Sequence, residues 1–212
     1  MKARRDPPSR PMAAGAAPIE GGLAERLEAA VHLLRAERLD DAAAAFDTIL
    51  AKWPEQPDAL HFLGVLRHVQ GQTVTGIALI RRALAVMPIE PGPWNNLGNV
   101  LVEAQRLDEA IEAYRTSIAV SKGTLASTDA LNNIGTVLRK RGELVEAERA
   151  YREAIALRPG FMEAWYNLSV ALMNQGRINE GLLANSKAIV LSPRHLQARD
   201  QVIRALLLQG ER

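Results

Sequence analysis

A period near 34 residues governs this chain. Leu60, Trp94, Leu131 and Trp165 fall in one column at spacings of 34, 37 and 34, and Pro54, Pro88, Pro159 and Pro193 fall in another. Self-similarity at this period means one supersecondary unit copied end to end. Each copy buries its apolar face on its neighbours, so there is no single closed core.

The columns between these markers describe the unit. Leu63, Leu97, Ile134 and Leu168 are followed at once by Gly64, Gly98, Gly135 and Ser169. Glycine inside a helix costs about 1 kcal/mol relative to alanine, so its recurrence at one register predicts that a neighbouring helix comes close there. A turn signal follows at Gly71, Gln105, Gly142 and Gly176. The second half of each unit has small residues at Ala42, Gly76, Ala110, Ala147 and Gly181, then Phe46, Ile80, Tyr114, Tyr151 and Asn185. It closes with aliphatic Leu50, Leu84, Ile118, Ile155 and Ile189. These spacings make one face of an amphipathic helix, which proline then stops.

Stretches such as WNNLGNVLVEAQRLDEAIEAYRTSI (94–118) and LNNIGTVLRKRGELVEAERAYREAIALRP (131–159) resemble tetratricopeptide repeats. The resemblance implies an all-α fold, a right-handed superhelix or α-solenoid of five helix pairs plus a C-terminal lone helix. The first helix of each pair would line the concave side. The array is expected over 22–212, with repeats near 23–56, 57–90, 91–127, 128–161 and 162–195 and a terminal helix over 196–210. Residues 1–21, rich in Pro, Ala, Gly and Arg, read as a flexible tail.

Some copies depart from the pattern. The first lacks the Leu-Gly pair, and the third ends in Lys122 where proline is expected. Ser121 to Ser127 carries three extra residues, read as a surface insertion rather than a site. The fifth has Gly181 and Asn185 where alanine and an aromatic are usual, so its second helix is expected to be the least stable.

Composition removes several function classes. There are no cysteines, which excludes disulfides and thiolate metal sites. A net charge of +2 with a pI near 9.1 describes a nearly balanced chain without a basic stripe, which gives nucleic-acid binding no support. No apolar run is long enough to span a membrane, and the N-terminal stretch is a poor secretory signal, so a cytoplasmic location is the expectation. His32, His61, His68 and His195 are scattered and read as surface or groove residues. No metal site, cofactor loop or nucleophile–base pair is recognisable. The carboxylates Asp108 and Glu109, and those of 143–148, sit at helix starts where they complement the helix dipole.

What remains is the surface that repetition creates. On the helix from Trp94 to Gln105 the apolar stripe is Trp94, Leu97, Leu101 and Ala104, which leaves Asn95, Asn96, Asn99 and Glu103 to face the groove. The next copy offers Asn132, Asn133, Thr136, Arg139 and Lys140, and the one after it Tyr166, Asn167, Val170 and Asn174. Asn96, Asn133 and Asn167 share one register. A carboxamide is both donor and acceptor, so such a row suits the backbone of an extended peptide. The row resembles the groove asparagines in the repeat region of O-linked N-acetylglucosamine transferases. Asparagine there could also simply solvate the inner surface or bond within its own repeat. Asp58, Glu103, Asp129 and Glu163 mix with Arg139, Lys140 and His61, which does not match a clamp for a C-terminal carboxylate.

The expected function is therefore a non-enzymatic scaffold that binds a protein or peptide along its concave groove, with Tyr166, Phe62 and Met173 adding apolar contacts. A second reading makes the chain the N-terminal substrate-recognition segment of a larger bacterial enzyme. Arrays resembling this one precede glycosyltransferase, sulfotransferase and methyltransferase domains, 21 Arg against 5 Lys suggests a GC-rich bacterial gene, and Leu206, Leu207 and Leu208 run consecutively near the end. Self-association through a convex or terminal surface is a third.

Overall fold

Apolar residues at helical spacing, interrupted by turn residues, produce helix after helix. The computed structural model describes residues 21–201 and 203. Ten α-helices follow in order: α1 (Leu23–Arg35), α2 (Leu39–Lys52), α3 (Pro57–Val69), α4 (Thr73–Val86), α5 (Pro91–Glu103), α6 (Leu107–Val120), α7 (Thr128–Lys140), α8 (Leu144–Leu157), α9 (Met162–Asn174) and α10 (Ile178–Leu191). Residues 196–201 are helical again. Nearly all of the expected tail, and most of the expected terminal helix with Leu206 to Leu208, lie outside the described residues.

Each pair turns at the same backbone device. Glu37, Gly71, Gln105, Gly142 and Gly176 take positive φ of 56°, 82°, 61°, 82° and 78° just after the first helix. The next amide then reaches back to close the helix end, as in Gln72 N to Arg67 O at 2.7 Å and Arg106 N to Leu101 O at 2.9 Å. Proline opens α3 and α5, where its missing N–H costs no helical bond.

Within each pair a large side chain of the second helix fills the space left by a small residue of the first. Phe46, Ile80, Tyr114 and Tyr151 are buried, and they stand in the same column opposite Ala30, Gly64, Gly98 and Gly135. In the fifth pair both members change together, to Asn185 and Ser169, and both are fully buried. Asn185 Nδ2 donates to Ala198 O at 2.6 Å, which ties α10 to the helix that follows it.

The insertion after α6 has exposed middle residues but buried ends. Ser121 Oγ lies 2.5 Å from Ser127 Oγ, a 3-10 turn forms over Leu125–Ser127, and Ser121, Ser127 and Thr128 are buried. Hydroxyl groups thus hold the extra residues to the array, which a plain surface insertion would not require.

Successive pairs stack, and α3 touches α5, α5 touches α7 and α7 touches α9. Among the described residues no two second helices meet to the same extent. Closer approach on the first-helix side curves the stack and makes that side the inner, concave one. The architecture is an all-α solenoid.

Candidate binding groove

The inner face is lined by the first helices, and the expected polar groove residues and Tyr166 lie on α5, α7 and α9, with Phe62 on α3. Asn99, Lys140 and Asn174 are exposed, while Asn95, Asn96, Asn133, Arg139, Tyr166 and Asn167 are partly buried. Asn132, expected to face the groove, is buried. Its Oδ1 accepts from Asn167 Nδ2 at 2.9 Å, which draws it between α7 and α9.

The three asparagines of the shared register are bonded across repeats. Asn96 Nδ2 lies 2.9 Å from His61 Nε2. Asn133 Nδ2 donates to Asn95 Oδ1 at 3.1 Å and to Asn99 Oδ1 at 3.0 Å. Asn167 Nδ2 donates back to Asn132 in the same sense. The sequence reading, in which each carboxamide offers both donor and acceptor to a partner, is corrected at Asn133, whose two N–H groups are both used within the array. Each nitrogen donates to the preceding repeat, twice from Asn133 and once from Asn96 and Asn167, while no oxygen of the three accepts from a protein donor among the described residues.

Two neighbours set this polarity. Tyr114 is buried and its hydroxyl donates to Asn99 Oδ1 at 2.8 Å, so Asn99 must present oxygen and Asn133 must bring nitrogen to it. Burial raises the Tyr114 pKa, with the Glu103 charge acting in the same direction, which keeps the hydroxyl a donor. His61, expected at the surface or in the groove, is instead buried. Burial lowers its pKa to about 4, partly opposed by Asp58. A neutral imidazole can accept at Nε2, which makes Asn96 Nδ2 the donor.

Apolar groove candidates are partly committed to packing. Phe62 stacks on Phe46 with ring centroids 5.7 Å apart. Met173 is held against α10, where a Cβ on Gly181 would come within 2.6 Å of its Cγ. Tyr166 remains available: its ring lies 5.1 Å from that of His195, and it borders a cleft of about 380 Å³ with Val170, Gln197, Asp200 and Gln201. Sequence reasoning missed this cleft, because the last three residues lie on a helix where the repeat columns fade.

A larger cleft of about 830 Å³ opens between α4 and α6, floored by Trp94, Leu97 and Leu101 of α5. Its arginines are matched by carboxylates already in place: Arg81 with Glu109 at 2.7 Å, Arg115 with Glu112 at 2.7 Å and Arg141 with Asp108 at 2.5 Å. It therefore offers no free charge to a ligand. No group of three or more His, Asp or Glu among the described residues is placed to hold a metal ion. No helix among them is long and apolar enough to cross a membrane.

Family models described as tetratricopeptide repeat match residues 90–160 and, separately, 27–93 and 132–195. No curated protein matches the sequence. Among solved structures the chain is similar to TTC0263, a thermophilic TPR protein of Thermus thermophilus, at TM-score 0.69 and 23% identity over 88% of this chain and 100% of that one. It is similar to YrrB, described as a TPR protein with an unusual peptide-binding site, at TM-score 0.65 and 22% identity over 84% and 91%. MamA aligns at TM-score 0.67 and 20% identity over 82% and 94%. At these identities the likeness is one of fold.

Proposed function

We propose that this chain, which belongs to the tetratricopeptide repeat family, binds an extended polypeptide along its concave face and does no covalent chemistry of its own. The observation that carries this reading is the one-way row of carboxamides. With their nitrogens bonded back to the preceding repeat, Asn96, Asn133 and Asn167 keep an oxygen free of any protein donor among the described residues. Regularly placed acceptors suit the backbone N–H groups of a chain laid in the groove, whatever its side chains.

The resemblance of this row to that in O-linked N-acetylglucosamine transferases supports the same reading, as does the peptide-binding description of YrrB. Exposed Asn99, Lys140 and Asn174 and the Tyr166 ring supply side-chain contacts at the rim. The ordering of a flexible ligand offsets much of the gain from such modest bonds, so affinity in the micromolar range is expected.

Replacing the three ladder asparagines is a poor test, because it also cuts bonds between repeats. A random peptide library panned against the wild type, with selected peptides titrated against Tyr166→Ser and Asn174→Ser, separates binding from folding. Weakened binding by variants that keep the wild-type circular-dichroism spectrum supports the proposal. Peptides that bind all three proteins equally would count against it.

A further inference from the structure

The penultimate residues of α3, α5, α7 and α9 are His68, Val102, Arg139 and Met173, one register on the inner face. In the second repeat this residue meets the last residue of the next first helix: His68 Nε2 lies 2.8 Å from Glu103 Oε2. The same step of 35 residues leads from Arg139 to Asn174. There the array has a carboxamide where the earlier interface has a carboxylate.

Arg139 is consequently a groove cation without a counter-charge. It is partly buried, its charge lies close enough to the Tyr151 hydroxyl to oppose the rise that burial gives that group's pKa, and its Nε is buried with no hydrogen-bond partner. None of the ion pairs among the described residues involves it or the exposed Lys140 beside it. Partial desolvation of a guanidinium that no carboxylate neutralises is unfavourable until a counter-charge arrives. A carboxylate relieves it best, because its two oxygens match the guanidinium fork.

We propose that Arg139, backed by Lys140, anchors an acidic side chain of the polypeptide in the groove, Asp or Glu within an extended segment. This rests on the groove reading above and names the partner's chemistry at one point along it. Asn174 is the residue that keeps the anchor open, since a carboxylate there would satisfy Arg139 from within.

The test is fluorescence anisotropy on the full chain with three labelled probes: an amidated peptide of alternating glutamate and serine, the same peptide with glutamine for glutamate, and a serine peptide with a free C-terminal carboxylate. The proteins are wild type, Arg139→Gln, Asn174→Asp and, as a probe of the groove itself, Tyr166→Ser. The glutamate probe is expected to bind the wild type best. Arg139→Gln and Asn174→Asp should each weaken it by roughly tenfold or more, the loss that follows removal of a charge-assisted pair. Asn174→Asp changes an exposed side chain, so its effect does not depend on refolding. The inference is overturned if the glutamate probe binds neither better than the others nor more weakly to these two variants, or if the free-carboxylate probe binds tightest. Should the glutamine probe bind as tightly as the glutamate probe and lose affinity on Tyr166→Ser, the groove reading stands and the Arg139 anchor falls. If no probe binds, both fall.

Discussion

Tyr114 donates its hydroxyl to Asn99 Oδ1 at 2.8 Å from inside the third repeat, and that oxygen also accepts Asn133 Nδ2 at 3.0 Å. A core side chain thereby orients two carboxamides on the binding face. Tyr114→Phe removes the orienting donor without removing the ring. It should cost about 1 kcal/mol, the usual net value of one hydrogen bond, read as a lower urea midpoint at unchanged slope.

The same ring limits what Gly98 can become. A Cβ there would lie 2.4 Å from Tyr114 Cε1, and one on Gly135 would lie 2.7 Å from Tyr151 Cε1. Gly98→Ala and Gly135→Ala should each destabilise by about 1–3 kcal/mol through overpacking, despite alanine's better helix propensity. Gly160, which meets nothing within 4 Å of its Cβ position beyond its chain neighbours, is the control. Gly160→Ala should be neutral or stabilising by up to about 1 kcal/mol in the same urea titration.

Gln105 holds φ +61° at a turn where Gly71, Gly142 and Gly176 hold +82°, +82° and +78°. A side chain in the left-handed region is strained, so Gln105→Gly should stabilise the array by about 0.5–1 kcal/mol. Thermal unfolding followed by circular dichroism checks the sign. A lower midpoint would show that the Gln105 side chain contributes more than its backbone costs.

His61 makes stability depend on pH in a defined window. Its folded pKa is near 4 against the ordinary histidine value of 6.5, so the unfolded chain takes up a proton first as pH falls. Stability is therefore constant above about 6.5 and falls between about 6.5 and 4, by up to about 3 kcal/mol. Carboxylates held low by arginines, such as Glu109 beside Arg106 and Glu180 beside Arg177, add their losses only below their ordinary value of 4.5. His61→Gln keeps an acceptor for Asn96 and should flatten the curve above pH 4.5, as measured by urea titration across pH.

The repeat columns made the helices, the small-against-large packing and the turn residues legible in the sequence, because each depends on spacing within one unit. Gly98 beneath Tyr114 is such a case. The hydrogen-bond direction of Asn133 was not legible, since it depends on Tyr114 acting through Asn99 from the previous repeat. His61 was misplaced for a related reason. Its register holds Asn95, Asn132 and Tyr166 in later copies, which suggests a polar surface position, yet Asn96 and the Phe62 ring, 4.8 Å away, enclose it. The cleft beside Tyr166 depends on Gln197 and Asp200, where the periodic pattern gives no guidance.

The central claim is that the first-helix face receives the polypeptide. Amide and side-chain carboxamide NMR shifts, followed as a library-selected peptide is titrated into the full chain, test it directly. The account predicts that shifts gather on α5, α7 and α9, with the carboxamides of Asn96, Asn133 and Asn167 and the Tyr166 amide among the largest. Shifts gathered instead on α4, α6 and α8 would contradict it.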